Sequence, residues 1–369
     1  MKKRIVIIGA NNFQLPLILK AKEMGLETHV FAWNEGAVGK EYADFFYPIS
    51  ITEKDTILEK CKKINPIGVI SIASDLASIT VNYLAEKLNL IGNGTESSLI
   101  STNKYLMRKA FEKRKDPSPK NYRSDELKEN IISEWKCPLI VKPVDRSGSR
   151  GINKVESPEE LDKAIKLAEE LSFDKKAIIE EFVEGNEYSV EYVSYKGVHH
   201  FLAVTKKMTT GAPHFIETGH VQPANIPNHI LKNIKKIIEH ALDTLKIKYG
   251  ASHSEIKIDS KGNIMIIEIG GRMGGDCIGS DLVYLSTGYD FLKMVIQIAC
   301  GQTPEIVCTG KKYIAEIKFL FDQDDIDKLE KIKKYNSNSI HFISDINYEN
   351  IGKIVDSSTR LGYYVLKTR

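Results

Sequence analysis

The chain reads as α/β structure followed by α+β structure: an N-terminal unit on a parallel sheet, a larger mixed unit, and a small C-terminal α+β segment. Three observations predict this. Over the first hundred residues, short apolar runs alternate with helical stretches, the pattern of a parallel sheet with helices on both faces. From Thr102 the pattern changes, and strands begin to follow one another directly. A length of 369 residues also exceeds one ordinary core and implies two or three domains.

Taken in order, Arg4–Gly9 is expected as a buried strand, Gln14–Met24 as a helix stopped by Gly25, and Thr28–Ala32 and Asp44–Ile49 as strands. Thr52–Ile64 reads as a helix, Gly68–Ala73 as a strand and Leu76–Leu88 as a helix. A helix over Asn103–Phe111 leads into the polar, proline-bearing stretch Lys113–Ser124, read as a linker. Strands Pro138–Lys142 and Ile152–Val155 flank a Gly/Ser loop. Ser157 as N-cap, Pro158 at the first helical position and Glu160 as capping-box partner then open a helix. Its Leu161, Ala164, Ile165, Ala168 and Leu171 share one face. Strands near Ala177–Val183, Glu187–Ser194 and His199–Lys206 follow, then a long helix with Leu231, Ile234, Ile238, Ala241 and Leu245 on one side. Ala251–Ile258 and Ile264–Ile269 form a hairpin that turns at Asp259–Gly262. Beyond Gly301 come a strand over Tyr313–Phe321, a helix over Asp324–Lys334 and short terminal strands, with no residue that reads as catalytic.

Composition narrows the class. Hydrophobic residues make up 42% and charged residues 27%, as in a globular protein. A net charge of only +3 supplies no basic field for nucleic acid, and the Lys232–Lys236 run, interleaved with apolar residues, is a solvated helix face. The five cysteines are an odd number with no Cys-x-x-Cys spacing, so reduced thiols and a cytoplasmic location are expected. The apolar stretch Ile5–Ile8 after Met1-Lys2-Lys3-Arg4 is too short for a signal peptide, and no apolar run reaches membrane-spanning length, so no membrane partner is expected.

The chemistry concentrates in four places. The loop Asp145–Gly151 follows a strand ending in Lys142-Pro143; its glycines let amide groups approach phosphate oxygens, and the lysine adds a fixed charge. Alone it also reads as a plain hairpin. It is no Walker A loop, and Gly9-Ala10-Asn11-Asn12-Phe13 lacks the second and third glycines of a dinucleotide fingerprint, which disfavours an NAD-linked oxidoreductase. Glu180–Glu187 ends one strand and begins another; its backbone suits an adenine edge and Glu187 a ribose, although acidic residues at strand ends are commonly just solvated. Glu255 and Glu268 lie in the two strands of one hairpin. In a regular register both carboxylates are expected on one face, where mutual repulsion calls for a cation such as Mg²⁺. Two exposed glutamates are the bland alternative. Finally, Gly270–Asp276 holds four glycines around Arg272, which suits bidentate binding of a carboxylate or phosphate, or a buried structural role.

In their order these pieces resemble the ATP-grasp superfamily: Thr102–Arg108, Ile140–Pro143, Ser147–Gly151, Glu180–Val183 with Glu187, Glu255, then Glu268 with Arg272. Phe215–Pro223 looks like a segment of its carboxylate–amine ligases, among them amino-acid ligases, with carbamoyl-phosphate-synthase and biotin-carboxylase-like enzymes also similar. The resemblance covers residues 1–300. It implies a pre-ATP-grasp domain over 1–98, an ATP-grasp domain over 99–300 with a mobile lid at about 120–185, and a C-terminal segment over 301–369. It implies ATP and Mg²⁺, with Mn²⁺ able to substitute, small carboxylate and amine substrates, and a homodimer. Lys104 and Lys142 would contact phosphates, with Ser147, Gly148, Ser149 and Gly151 closing over them. Glu180, Phe182 and Val183 would frame adenine, Glu187 would meet ribose, and Glu255 and Glu268 would hold the metal. Arg272 and His220, the latter read in a polar loop, would face the acyl phosphate and the nucleophile. Many members carry Glu-x-Asn at the second metal position; here the third residue is Gly270, so water or a group such as Asp276 would replace the amide. Purine-pathway ligases such as phosphoribosylglycinamide synthetase, biotin-dependent carboxylation, and a non-catalytic ATP-binding regulatory module are the rival readings.

Overall fold

A computed structural model of the chain describes residues 2–127, 137–212, 215–309 and 312–369. Residues 128–136, which fall in the expected lid, lie outside the described residues, as do Met1, 213–214 and 310–311. Among the described residues the strands form three sheets. The first is parallel, in the order β3-β2-β1-β4, from β1 (Arg4–Ile8), β2 (Glu27–Phe31), β3 (Phe45–Tyr47) and β4 (Gly68–Ile70). Helices α1 (Leu15–Glu23) and α2 (Lys54–Ile64) connect its strands and α3 (Asp75–Lys87) follows the last of them, as the apolar alternation predicts. β1 is apolar on both faces and fully buried from Ile5 to Ile8 because helices cover the sheet on both sides.

A small antiparallel sheet, β5-β8-β6-β7, joins β5 (Asn121–Arg123), β8 (Ala177–Glu181), β6 (Leu139–Pro143) and β7 (Asn153–Val155). The stretch read as a linker therefore contributes a strand. The helix Leu161–Leu171 packs on this sheet through Leu161, Ala164 and Ala168, while Leu171 is exposed. The expected capping box does not form. Ser157 makes no cap bond, residues Pro158–Glu160 wind as a 3₁₀ turn, and the Glu160 carboxylate accepts from the Glu156 amide at 2.9 Å. A helix over Gly94–Thr102, absent from the sequence reading, precedes the expected one at Lys104–Arg114. It buries serines rather than aliphatic residues, so it shows no apolar stripe.

The third sheet has eight antiparallel strands in the order β13-β12-β9-β10-β11-β14-β16-β15. These are β9 (Asn186–Tyr195), β10 (Val198–Thr209), β11 (Glu217–Gln222), β12 (Gly250–Ile258), β13 (Ile264–Gly270), β14 (Ile314–Leu320), β15 (Ile340–Ile343) and β16 (Gly362–Thr368). The helix Asn228–Thr244 covers part of one face through Ile234, Ile238 and Ala241. β14 is hydrogen-bonded to β11, β16 to β14 and β15 to β16, so the C-terminal strands continue the same sheet. No helix among the described residues is long and apolar enough to cross a membrane, and the five cysteines are free thiols.

Two irregularities decide which side chains share a face. The β12–β13 hairpin begins with Ile258 opposite Ile264 and Ile256 opposite Ile266. Continued regularly, that register would set Glu255 against Ile267 and send Glu268 to the other face. A bulge at Ile267 shifts the ladder by one residue, so Glu255 faces Glu268 and His253 faces Gly270. The regular register assumed from sequence is thus corrected. A second bulge, between Met208 and Thr209 of β10, shifts the ladder from Lys207 opposite His220 to Thr209 opposite Glu217, which brings the Glu217 side chain to the side of Lys207.

Candidate active site

A cleft opens between the small sheet and the central sheet. The small sheet contributes Lys142, residues Ser147–Arg150 of the turn, Phe182 and Val183; the central sheet contributes Glu187, Glu255 and Glu268. Lys104 and Arg272 also reach its wall. Of the residues singled out from sequence, Gly151 and His220 do not line it.

Lysines gather at the centre. Lys104 is buried at the start of its helix; its Nζ donates to the Arg146 carbonyl at 2.6 Å and to Glu268 at 2.8 Å. Lys142, buried on β6, pairs with Glu180 at 2.8 Å, and Arg108 pairs with the other Glu180 oxygen at 2.9 Å. Glu180 is thus a buried counter-ion to two cations, and its side chain is not available to frame a base. Burial pushes the Glu180 carboxyl up, but the Arg108 and Lys142 charges outweigh it and hold it below the ordinary range. Burial likewise holds Lys142 below the usual lysine value despite Glu180.

Lys207, which the sequence reading left out, is the second hub. Its ammonium pairs with Glu255, with Glu187 at 3.1 Å and with Glu217 at 3.8 Å. Burial opposes its charge, yet the three carboxylates raise its pKa well above the lysine value. Glu255 in turn is held well below the carboxylate range, since Lys207 and His253 outweigh its own burial. The alternation Thr205-Lys206-Lys207 carried a usable signal: Lys207 shares a parity with buried Thr205, and Lys206 does not.

His253 and Glu191 form a third group missed from sequence. The imidazole Nδ1 lies 2.6 Å from Glu191, which is fully buried, and Nε2 lies 3.5 Å from Glu255. Burial alone would lower the His253 pKa, but Glu191 and Glu255 outweigh it and raise it to about 9. His253 is in phase with Glu255 and Lys257 along β12, which was the available sequence clue.

Arg272 is bidentate to Asp75, at 2.7 and 2.8 Å, at the first turn of α3. The same Asp75 explains the glycine at 270. A Cβ there would sit 2.8 Å from Asp75 Oδ1, so the aspartate fills the space an asparagine side chain would need. Asp276 does not replace that amide. It is bidentate to Arg360 at 3.0 Å on both oxygens, lies 3.6 Å from His220 Nε2, and stands outside the cleft wall. His220 is a buried strand residue of β11 packed edge-on against Phe319, not a loop residue. Arg360 had no local signature in the sequence: one arginine in a polar turn reads as surface until the fold brings it back.

Among the described residues no three His, Cys, Asp or Glu side chains converge as a ready metal cage. The donor set nevertheless fits Mg²⁺ held with phosphates: two directly paired carboxylates on one face, each beside a lysine that can turn to a phosphate oxygen. Glycine amides complete the cradle. Gly148 and Gly151 hold φ of +71° and +72°, Ser149 holds +58°, and Ser149 Oγ donates to the Phe215 carbonyl at 3.2 Å.

Comparison with known proteins agrees with this geometry. Residues 135–281 match the model of the ATP-grasp domain. The alanine–anticapsin ligase of Bacillus subtilis is 24% identical over 294 residues, covering 71% of this chain and 62% of the relative, so the match spans about three fifths of that protein's length. The structure of an L-amino acid ligase from Bacillus licheniformis superposes with a TM-score of 0.80 at 21% identity, over 100% of this chain and 93% of that one. A phosphoribosylglycinamide synthetase from Anaerococcus prevotii superposes at 0.79 with 23% identity, over 100% and 94%. Residues 135–281 thus match an ATP-grasp domain, and the chain follows the fold of these ligase and synthetase structures along its whole length.

Proposed function

We propose that this chain is an ATP-dependent carboxylate–amine ligase that activates a carboxylate as an acyl phosphate, couples it to an amine, and releases ADP and phosphate. One observation carries the reading: Glu255 and Glu268 stand directly opposite each other on the face that meets Lys142 and the Ser147–Gly151 turn. Glu255 and Glu268 would hold Mg²⁺, for which Mn²⁺ can substitute. Bound Mg²⁺ and ATP supply the activated phosphoryl group and the cationic charge its oxygens need during transfer.

The chain's own residues do the positioning. Lys104 and Lys142 neutralise phosphate oxygens from fixed, buried stems. Amides of the Ser147–Gly151 turn cap the terminal phosphate from the small sheet. Phe182 and Val183 supply apolar surface for the base, with Glu187 at the ribose. Arg272, pinned by Asp75 along one edge, presents the remainder of its guanidinium to the developing oxyanion; losing one such donor costs ~3 kcal/mol of barrier. His220 acts indirectly, through Asp276, from the interior of the strand that bears Glu217.

The near-equal likeness to a phosphoribosylglycinamide synthetase supports a second reading in which the amine is a phosphoribosylamine. Phosphate release, screened over pairs of amino acids, over phosphoribosylamine with glycine, and over bicarbonate, separates the two. Glu268→Gln should abolish ADP formation while leaving the fold intact. Turnover at the wild-type rate in that variant would exclude the metal-holding role and with it this function.

A further inference from the structure

We propose that the crevice outside the carboxyl ends of β1 and β2 holds a second, non-reacting ammonium group of the amine substrate, which is then a basic amino acid or a diamine. The inference rests on the ligase reading above and narrows its substrate. The sheet order β3-β2-β1-β4 reverses direction at β1, and such a reversal opens a crevice at the carboxyl ends of the strands. Gly9, Ala10 and Asn11 after β1, Trp33 and Glu35 after β2, and Ser74 after β4 line it. Ser74 is followed by Asp75, which holds Arg272 in the cleft, so crevice and cleft are neighbours. The reacting groups meet at Arg272, and the crevice receives the other end of the molecule.

A phosphate ester does not fit there. In a sheet of this kind a phosphate sits on free amides of the first strand-to-helix turn. Here those amides already have partners. The Gly9 amide donates to the Phe31 carbonyl at 2.8 Å, that of Asn11 to Gln14 Oε1 at 3.1 Å, and that of Phe13 to Asn11 Oδ1 at 3.0 Å. The Gln14 and Leu15 amides donate to the Asn11 carbonyl at 2.9 and 3.0 Å, and Pro16 supplies none. Gln14 is buried and fills the hollow over Gly9, where a Cβ would lie 2.1 Å from its Nε2. Among the described residues no lysine or arginine lines the crevice. The phosphoribosylamine of the second reading thus finds no phosphate seat here.

What remains suits a cation. Trp33 is 49% exposed, a large indole left half in water where the crevice opens. Glu35, two residues on, forms no ion pair among the described residues. An aromatic face together with a free carboxylate attracts an ammonium group. Ala32, Ala37 and Ile51 are buried and add apolar wall for a short methylene chain. The carboxylate of Glu35 also repels the α-carboxylate of an amino acid, so the head group of a neutral amino acid cannot take the place of a side-chain ammonium.

The test uses the full chain carrying Trp135→Phe, which leaves Trp33 as its one tryptophan. L-Lysine and 1,4-diaminobutane are titrated beside L-norleucine and 1,4-butanediol, which lack the side-chain or terminal ammonium, and beside ribose 5-phosphate. Trp33 fluorescence reports occupancy. The two ammonium compounds are expected to bind ~10-fold more tightly than their counterparts, and ribose 5-phosphate not to bind. Glu35→Gln should abolish the preference. Equal binding of L-lysine and L-norleucine, or a lysine preference that survives Glu35→Gln, overturns the proposal. Calorimetry on the unaltered chain repeats the lysine–norleucine comparison, so a variant that does not fold cannot mask the answer. The same compounds are then offered with ATP and Mg²⁺ in the amino-acid pairs above, and phosphate release is read. L-Lysine that binds at Trp33 but supports no phosphate release in any pair keeps the crevice and counts against the ligase reading. L-Norleucine used as well as L-lysine overturns the crevice proposal and keeps the ligase reading.

Discussion

Glu180 is where single residues decide most. Its carboxylate sits between Arg108 and Lys142 with almost no exposure, so two cations depend on one buried anion. Removing one member of such a group leaves uncompensated charge and costs ~3–5 kcal/mol. Glu180→Gln should therefore lower the urea midpoint by a corresponding amount, and an unchanged midpoint would mean the group is hydrated. Asp276 makes a different prediction, about pH. Burial pushes its carboxyl up, but Arg360 and His220 outweigh it and hold it well below the ordinary range. A carboxylate depressed in the folded state contributes fully above its unfolded value of ~4 and loses that contribution as pH falls through the folded value. The stability difference between the wild-type chain and Arg360→Ala should thus be level from pH ~5 to ~8 and shrink below pH ~4. Urea unfolding across that range measures it, and a gap that widens in acid would assign the stabilisation elsewhere. Residues of this kind separate what sequence discloses from what it hides. Lys104, Lys142, Glu255 and Glu268 were legible because each sits in a short, ordered motif. Asp75, Glu191 and Arg360 act through partners 197, 62 and 84 positions away in sequence, where no local pattern reaches.

At the scale of elements, the strands were largely legible and their registers were not. Period-two alternation identifies a strand and its faces, but a bulge is one unpaired residue whose cause lies in the neighbouring strand. The alternation of β13 alone puts Ile267 and Glu268 on opposite faces; in the folded sheet both border the cleft. The Gly/Ser turn between β6 and β7 shows the opposite case, where residue type dictates backbone. Gly151 has φ of +72°, and a Cβ would lie 2.8 Å from Leu171 Cδ1 and 3.0 Å from Pro143 Cγ. Gly151→Ala combines left-handed strain of ~1–2 kcal/mol with crowding at the base of the turn. The expected outcome is a lower melting temperature and a raised KM for ATP, with affinity for substrates that bind without nucleotide unchanged. A variant with wild-type KM for ATP would show that the turn does not cap phosphate.

Across the whole molecule, the C-terminal segment is the part whose importance the sequence understates. Nothing in residues 301–369 resembles a catalytic motif, yet β14 pairs with β11 along Gly219–Gln222 and continues the sheet that carries the site. Its side chains complete a core as well: Ile317, Phe319 and Val365 pack with Cys277, Ile278 and Leu282, just beyond the Gly270–Asp276 turn. Two polar contacts then run from the segment toward the cleft. Ser357 Oγ donates to Glu217 at 2.7 Å, and Arg360 donates to both Asp276 oxygens and to the Glu217 carbonyl at 3.3 Å. A chain ending at residue 302 would leave β11 as an unpaired edge beside an apolar surface, the combination that drives edge-to-edge association. It would also release Glu217, the carboxylate nearest Lys207 on the β11 side, and leave Asp276 buried without its cation. The shortened chain is expected to aggregate, or, if held soluble, to bind ATP with reduced affinity and show no ligation. Light scattering and nucleotide titration on the fragment and the full chain decide it. A monomeric fragment with full ATP affinity would mean that the first 302 residues fold and hold nucleotide without the rest of the sheet.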